Sequence, residues 1–91
     1  MMDEDRLIYD EQEATEARFV CFMGSNHRFD LCIVKSDRFF GKSLVLDIQG
    51  GKFAIIGHDD LNEPGNLEHA YSLNEEDAEE LRTFLREVLR A

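Results

Sequence analysis

Two adjacent glycines, Gly50 and Gly51, divide an apolar stretch of the chain into two short segments, SLVLDI and KFAII. Glycine readily adopts the positive φ angles that a two-residue hairpin turn requires, so this pair predicts a tight β-hairpin. Such a turn pairs Gln49 with Lys52 across the hairpin. In that register the large apolar side chains share one face: Leu46, Ile48, Phe53 and Ile55.

A second hairpin is predicted upstream, where the segments RFVCFM and FDLCIVK flank the turn sequence GSNHR. In the second of these strands, alternation places Phe29, Leu31 and Ile33 on one face. The first strand, residues 18–23, carries apolar side chains on both of its faces. We therefore expect either that this strand is central and covered on both sides, or that one of its faces meets another subunit.

The C-terminal segment NEEDAEELRTFLREVLRA has the signals of an amphipathic helix. Asn74 is a favoured N-cap residue, and the acidic residues after it suit the positive end of a helix dipole. Apolar side chains recur with the helical period on one side: Ala78, Leu81, Phe84, Leu85, Val88 and Leu89. Because this stripe needs a sheet to pack against, the sequence predicts an α+β fold. An antiparallel sheet of four to five strands, built from two consecutive hairpins, packs against one C-terminal helix, with residues 67–71 as the candidate fifth strand.

Length and charge bound the organisation of the chain. A chain of 91 residues has room for one hydrophobic core. We expect an acidic N-terminal arm, residues 1–17, that is partly ordered at most, followed by a single α+β domain, residues 18–91. The net charge of −10 disfavours nucleic acid and anionic membranes as partners. Only the central block, residues 18–57, has more bases than acids, with six against three.

The sequence also predicts a compartment. No apolar run approaches the roughly 20 residues that span a bilayer, so no membrane association is expected. The acidic N-terminus lacks the basic and apolar regions of a secretory signal. Two cysteines, Cys21 and Cys32, are too few for a disulfide scaffold, and we expect both thiols to be free and level with each other across the first hairpin. These features favour a cytoplasmic protein.

A resemblance to a known family runs over residues 18–89. The strings RFVCFMG, DRFFGK, LVLDIQ and FAIIGHDDLNEPGNLEHAYSLNEEDAEEL resemble a family of small acidic proteins from Gram-positive bacteria, a domain of unknown function. The resemblance implies a cytosolic protein. It supplies no activity, ligand or catalytic residue to carry over.

Two groups of residues could in principle do chemistry. His58, Asp59 and Asp60 offer imidazole and carboxylate ligands for a divalent metal ion, but no helical spacing fixes two of them together. Acidic residues after a strand more often cap a turn. Cys21 and His27 could form a nucleophile and its base, but a cysteine in an apolar strand is expected to be a buried small hydrophobe. We therefore predict no catalytic residue, no metal and no other cofactor.

The segment DRFFGK is the candidate interaction site, with Arg38, Phe39, Phe40 and Lys42. Cationic and aromatic side chains on a loop can stack on a base or bind a phosphate. Alternation allows only one of the two rings to face the core, which leaves the other at an edge or a subunit contact. Packing is therefore the first interpretation of this segment and interaction the second.

These observations favour a small non-catalytic module that associates with itself as a homodimer or binds a protein partner. The first alternative is a binder of nucleic acid or a small anion through the basic segment 28–52. The second alternative is a metal-dependent hydrolase at His58, Asp59 and Asp60.

Overall fold

The computed structural model describes residues 6–90, which form a four-stranded antiparallel sheet with helices on one face. The strands lie across the sheet in chain order: β1 (Glu16–Met23), β2 (Arg28–Lys35), β3 (Ser43–Asp47) and β4 (Lys52–Ile56). Two α-helices follow: α1 (Asn66–Tyr71) and α2 (Glu75–Val88). Short 3-10 helices precede β3 (Asp37–Phe39) and follow β4 (His58–Asn62). The predicted α+β fold with two hairpins and a C-terminal helix is confirmed.

The hydrophobic core lies between the helices and the inner face of the sheet, the face toward the helices. The predicted inward face of β2 is confirmed, because Phe29, Leu31 and Ile33 are all buried. β1 contributes Phe22, whose ring centroid lies 4.6 Å from that of Phe84 on α2. The remaining buried apolar residues come from β3, β4 and the C-terminal half: Val45, Ile56, Leu61, Leu67, Tyr71, Ala78, Leu81, Leu85 and Leu89.

The β3–β4 hairpin has a different register from the predicted one. Asp47, and not Gln49, pairs with Lys52, so the loop contains four residues, 48–51. The cause is Asp47, whose carboxylate accepts the Gly50 N–H at 3.1 Å and whose main-chain oxygen accepts the Gly51 N–H at 2.9 Å. Gly51 has a φ of 69°, so the predicted need for glycine holds in the longer turn.

The predicted sharing of one face by the large side chains of this hairpin is correct, but the face is not the one that packs on α2. The shift of two residues keeps the alternation, so Leu46 now faces Phe53 and Leu44 faces Ile55. The inner positions of the same strands include Val45 and Ala54, and Ile56 is the one large apolar side chain among them.

The candidate fifth strand is a helix. Residues 67–71 lie in α1, in which Leu67 and Tyr71 are both buried one helical turn apart. The Tyr71 hydroxyl donates a hydrogen bond to the main-chain oxygen of Val45 at 2.7 Å, which ties α1 to the sheet. Neither of the helices in residues 6–90 is long and apolar enough to cross a membrane.

β1 is an edge strand, so the first of the two alternatives expected for it, a central strand covered on both sides, is excluded. Its outward side chains Phe19 and Met23 are exposed, and so is Cys21, which was expected to be buried. The two free cysteines are not level either, because Cys21 pairs with Asp30 and Cys32 with Phe19. The N-terminal arm forms no strand in residues 6–15, and residues 1–5 lie outside the described residues.

Helix α2 begins where the sequence predicts. The Asn74 side chain accepts a hydrogen bond from the main-chain N–H of Asp77 at 2.7 Å, as an N-cap does. The first two turns of the helix also hold the β1–β2 turn: the Ser25 N–H donates to Glu80 at 2.7 Å, and Asn26 donates to Glu76 at 3.2 Å. The start of α2 therefore fixes one end of the sheet.

We expect the substitution Asn74→Ala to lower the free energy of unfolding by about 1 kcal/mol, because a helix N–H loses its acceptor. Urea unfolding followed by circular dichroism measures the change. Asn62→Ala is the control, since Asn62 is exposed and caps no α-helix. Equal values for both variants would show that the cap does not stabilise the fold.

Candidate functional site

The fold brings two of the sequence candidates together at one end of the sheet. Lys42, from the β2–β3 connection, lies with its Nζ 3.0 Å from Oδ2 of Asp60, which follows β4. The two segments line a shallow cleft of about 400 Å³, here named the end cleft, to which Lys35, His58 and Arg90 also contribute. DRFFGK and GHDD are therefore parts of one place in the molecule.

Beside the end cleft, Asp60 has a structural role. Its Oδ2 accepts the main-chain N–H of Gly57 at 2.7 Å and closes the first turn of the 3-10 helix that follows β4. This hydrogen bond, together with the ammonium of Lys42, lowers the pKa of the Asp60 carboxyl below its usual value. The carboxylate is thus ionised and engaged as a turn cap, the role expected of an acid after a strand.

The other two candidate ligands, His58 and Asp59, are exposed beside this cap. Within residues 6–90, no three side chains of the histidine, cysteine, aspartate and glutamate classes gather as a metal site requires. The end cleft can offer cations to a small anion, but one of these, Lys42, is already paired with Asp60.

Arg38 holds the N-terminal arm against the β2–β3 connection. Its guanidinium lies 2.7 Å from a Glu11 oxygen and 3.2 Å from a Glu13 oxygen, and it sits over the Tyr9 ring at 5.7 Å. Glu13 also accepts the hydroxyl of Ser36 at 2.8 Å. The charge of Arg38 is therefore met by acids of the same chain, which the sequence analysis did not anticipate.

The two phenylalanines of DRFFGK have different surroundings. Phe40 is 93% exposed and holds a left-handed backbone with a φ of 54°, which is uncommon for a residue other than glycine. Phe39 ends the 3-10 helix that precedes β3, and its side chain is half-buried. Phe40 is thus the outward ring, and the half-buried Phe39 belongs neither to the buried core nor to the side chains packed against it.

Most of the exposed large hydrophobic side chains of the described residues lie elsewhere, on the side of the sheet that faces away from the helices. We name it the open face. Five large side chains on this side are between 47% and 72% exposed: Phe19, Met23, Ile48, Phe53 and Ile55. Half-buried neighbours fill the space between them: Cys32, Val34, Leu44 and Leu46.

The open face is continuous and nearly free of charge. Register places Phe19, Cys32, Leu46 and Phe53 in one row across all four strands. Among the strand residues on this side, the only charged ones are Arg28 and Asp30, and they neutralise each other through an ion pair of 3.2 Å. The arrangement has the properties of a binding surface for another apolar surface.

Only part of the open face is recognisable from the sequence. The two apolar sides of β1 indicate a further contact, but the sequence alone does not show that the large side chains of β3 and β4 face away from the helices. The signal that could have revealed the whole face is the number of large apolar residues on each side of the predicted sheet. One amphipathic helix stripe can cover one side of a small sheet, and the apolar residues of this chain occupy both sides.

Comparison with known proteins gives a family and no activity. A family model described as SAV0927-like matches residues 8–87, most of the chain. No curated protein matches the chain.

Proposed function

The chain belongs to the SAV0927-like family, whose function is unknown, and we propose that it is a non-catalytic protein-interaction module. The binding surface is the open face of the sheet. One observation carries the proposal: Phe19 and Phe53, on opposite edge strands, expose 72% and 65% of their surfaces on one face that carries no net charge. Monomeric proteins rarely expose contiguous apolar patches of more than a few hundred Å², and larger patches mark interaction sites.

The two alternative functions receive less support from the geometry. In the basic segment 28–52, Arg28, Arg38 and Lys42 each form an ion pair with a carboxylate of the same chain. These cations are therefore less available to bind an external phosphate. In the proposed hydrolase site, Asp60 is committed to the Gly57 N–H and to Lys42. We expect the module to act in the cytoplasm, as composition predicts.

A photo-crosslinking experiment in living cells tests the proposal. A photoreactive phenylalanine analogue replaces Phe53 on the open face in one variant. In the matched control it replaces Phe40, which is also exposed but lies on the β2–β3 connection. The proposal predicts a discrete covalent adduct at position 53 and little adduct at position 40.

The pattern of adducts distinguishes the candidates. An adduct at 53 of twice the chain mass, or with one other protein, supports an interaction module. An adduct at 40 alone would contradict the open face as binding surface and move the function to DRFFGK. The absence of a discrete adduct at both positions would contradict the interaction module itself.

A further inference from the structure

Resting on the proposed function, we infer that the partner of the open face is a second copy of this chain, packed face to face about a two-fold axis. The dimer is a sandwich of two four-stranded sheets with the helices on its outer sides. Phe19 and Phe53 of each copy lie in the buried layer between the sheets.

The area of the open face fits a dimer interface. A fully exposed large side chain presents on the order of 200 Å². At the exposures given above, its five large side chains present on the order of 600 Å². The half-buried side chains between them bring the total toward the roughly 800 Å² that each partner contributes to a stable interface of standard size.

The shape of the open face also fits a copy of itself. Antiparallel sheets stack face to face at about 10 Å, with strand directions within about 30° of each other. Both stacked surfaces must then be apolar across several strands. The open face meets this condition on all four strands, from Phe19 on one edge to Phe53 on the other. A two-fold axis uses the same surface twice, so no second complementary surface is needed.

Charge favours this face over the rest of the surface as the place where two copies meet. Each chain carries a net charge of −10, so two copies repel each other. On the open face the single ion pair, Arg28 with Asp30, leaves no net charge to repel. Salt screens the remaining repulsion, so the dimer strengthens as salt is raised. A complex with a cationic partner would weaken instead, and this difference separates the two kinds of occupant.

Sedimentation equilibrium of the purified full chain tests the inference, at protein concentrations from about 1 to 100 μM and at low and high salt. We expect twice the chain mass of 10.5 kDa, with a dissociation constant that falls as salt rises. Phe53→Lys and Phe19→Lys, on opposite edge strands, should each weaken the dimer by more than about a hundredfold, because the two-fold axis buries each charge twice. Phe40→Lys is the matched control and should leave the dissociation constant unchanged.

Both test substitutions replace exposed side chains, so the variants should fold, and circular dichroism is the check on this expectation. A monomer at every concentration would overturn the second copy as partner. The proposed module would survive that result if position 53 crosslinks to a different protein. A dimer that persists in both folded lysine variants would show that the copies meet elsewhere, and would also overturn the inference.

Discussion

Replacing Leu85 by alanine should lower the free energy of unfolding by about 2–5 kcal/mol, among the largest losses that we expect from a single substitution in this chain. Leu85 is 0% exposed and lies on the buried stripe of α2, with Leu81 one turn before it and Leu89 one turn after it. The loss combines the transfer of the removed methyl groups with the cavity that they leave. Folded domains of this size hold only about 5–15 kcal/mol of stability, so the variant should unfold at much lower denaturant concentration.

Urea unfolding of the variant beside Arg86→Ala measures this effect. Arg86 is the next residue on the same helix and is exposed, so its substitution should change stability by no more than about 0.5 kcal/mol. A loss below about 1 kcal/mol for Leu85→Ala would contradict a helix docked on the inner face of the sheet.

The second large effect concerns Tyr71, because removal of its hydroxyl tests the link between α1 and the sheet. Tyr71 is 4% exposed, and its hydroxyl donates to the Val45 oxygen. Tyr71→Phe should lower the free energy of unfolding by about 1–2 kcal/mol at neutral pH, because a buried carbonyl loses its donor.

The burial of Tyr71 also predicts a dependence on pH. Burial raises the pKa of the Tyr71 hydroxyl above its ordinary value of 10.0, so the folded state keeps the proton that the unfolded state releases. The stability from this group is therefore complete below pH 10 and falls above it, by at most about 1.4 kcal/mol per pH unit. The phenylalanine ring of the variant cannot ionise, so the difference between wild type and Tyr71→Phe should shrink as the pH rises from about 9 to about 11.

Unfolding in urea at several pH values measures that difference, and the other titrating groups cancel between the two proteins. A difference that stays constant over the same pH range would contradict a buried, hydrogen-bonded Tyr71.

The elements with a long and regular pattern were predictable from sequence. The α2 stripe repeats along the whole helix and follows a clear N-cap, Asn74, so helix and start are both specified. The alternation of Phe29, Leu31 and Ile33 identified the inner face of β2 correctly. In both cases one physical requirement, burial on one side, acts on many residues at once.

Short or tertiary features were not predictable in the same way. In the six residues of α1, burial of Leu67 and Tyr71 fits a helical turn as well as a strand with a period of two. The register of the β3–β4 hairpin depends on the side chain of Asp47, which organises a four-residue turn where the glycine pair alone suggests two residues. The turn propensities of the individual residues do not predict that hydrogen bond.

The candidate sites show the same division. The residue types of DRFFGK and GHDD were enough to identify both segments as candidates. Their contact, the ion pair between Lys42 and Asp60, could not be predicted, because it forms only when the sheet brings the start of β3 beside the end of β4. The pairing of Arg38 with Glu11 and Glu13 depends on the path of the arm. The open face could not be predicted without knowing which side of the sheet α2 covers.

The accessibility of Cys21 tests the central claim, that two copies meet through the open face, most directly. Cys21 is exposed on that face, and a Cys32→Ala background leaves it as the only thiol in the chain. The rate of alkylation by an uncharged maleimide is measured at protein concentrations from about 1 to 100 μM. A Phe40→Cys variant that lacks both native cysteines is the control, because position 40 lies outside the open face. The account predicts that alkylation of Cys21 slows as the protein concentration rises, while the rate at position 40 stays constant. Equal and constant rates at both positions would contradict it.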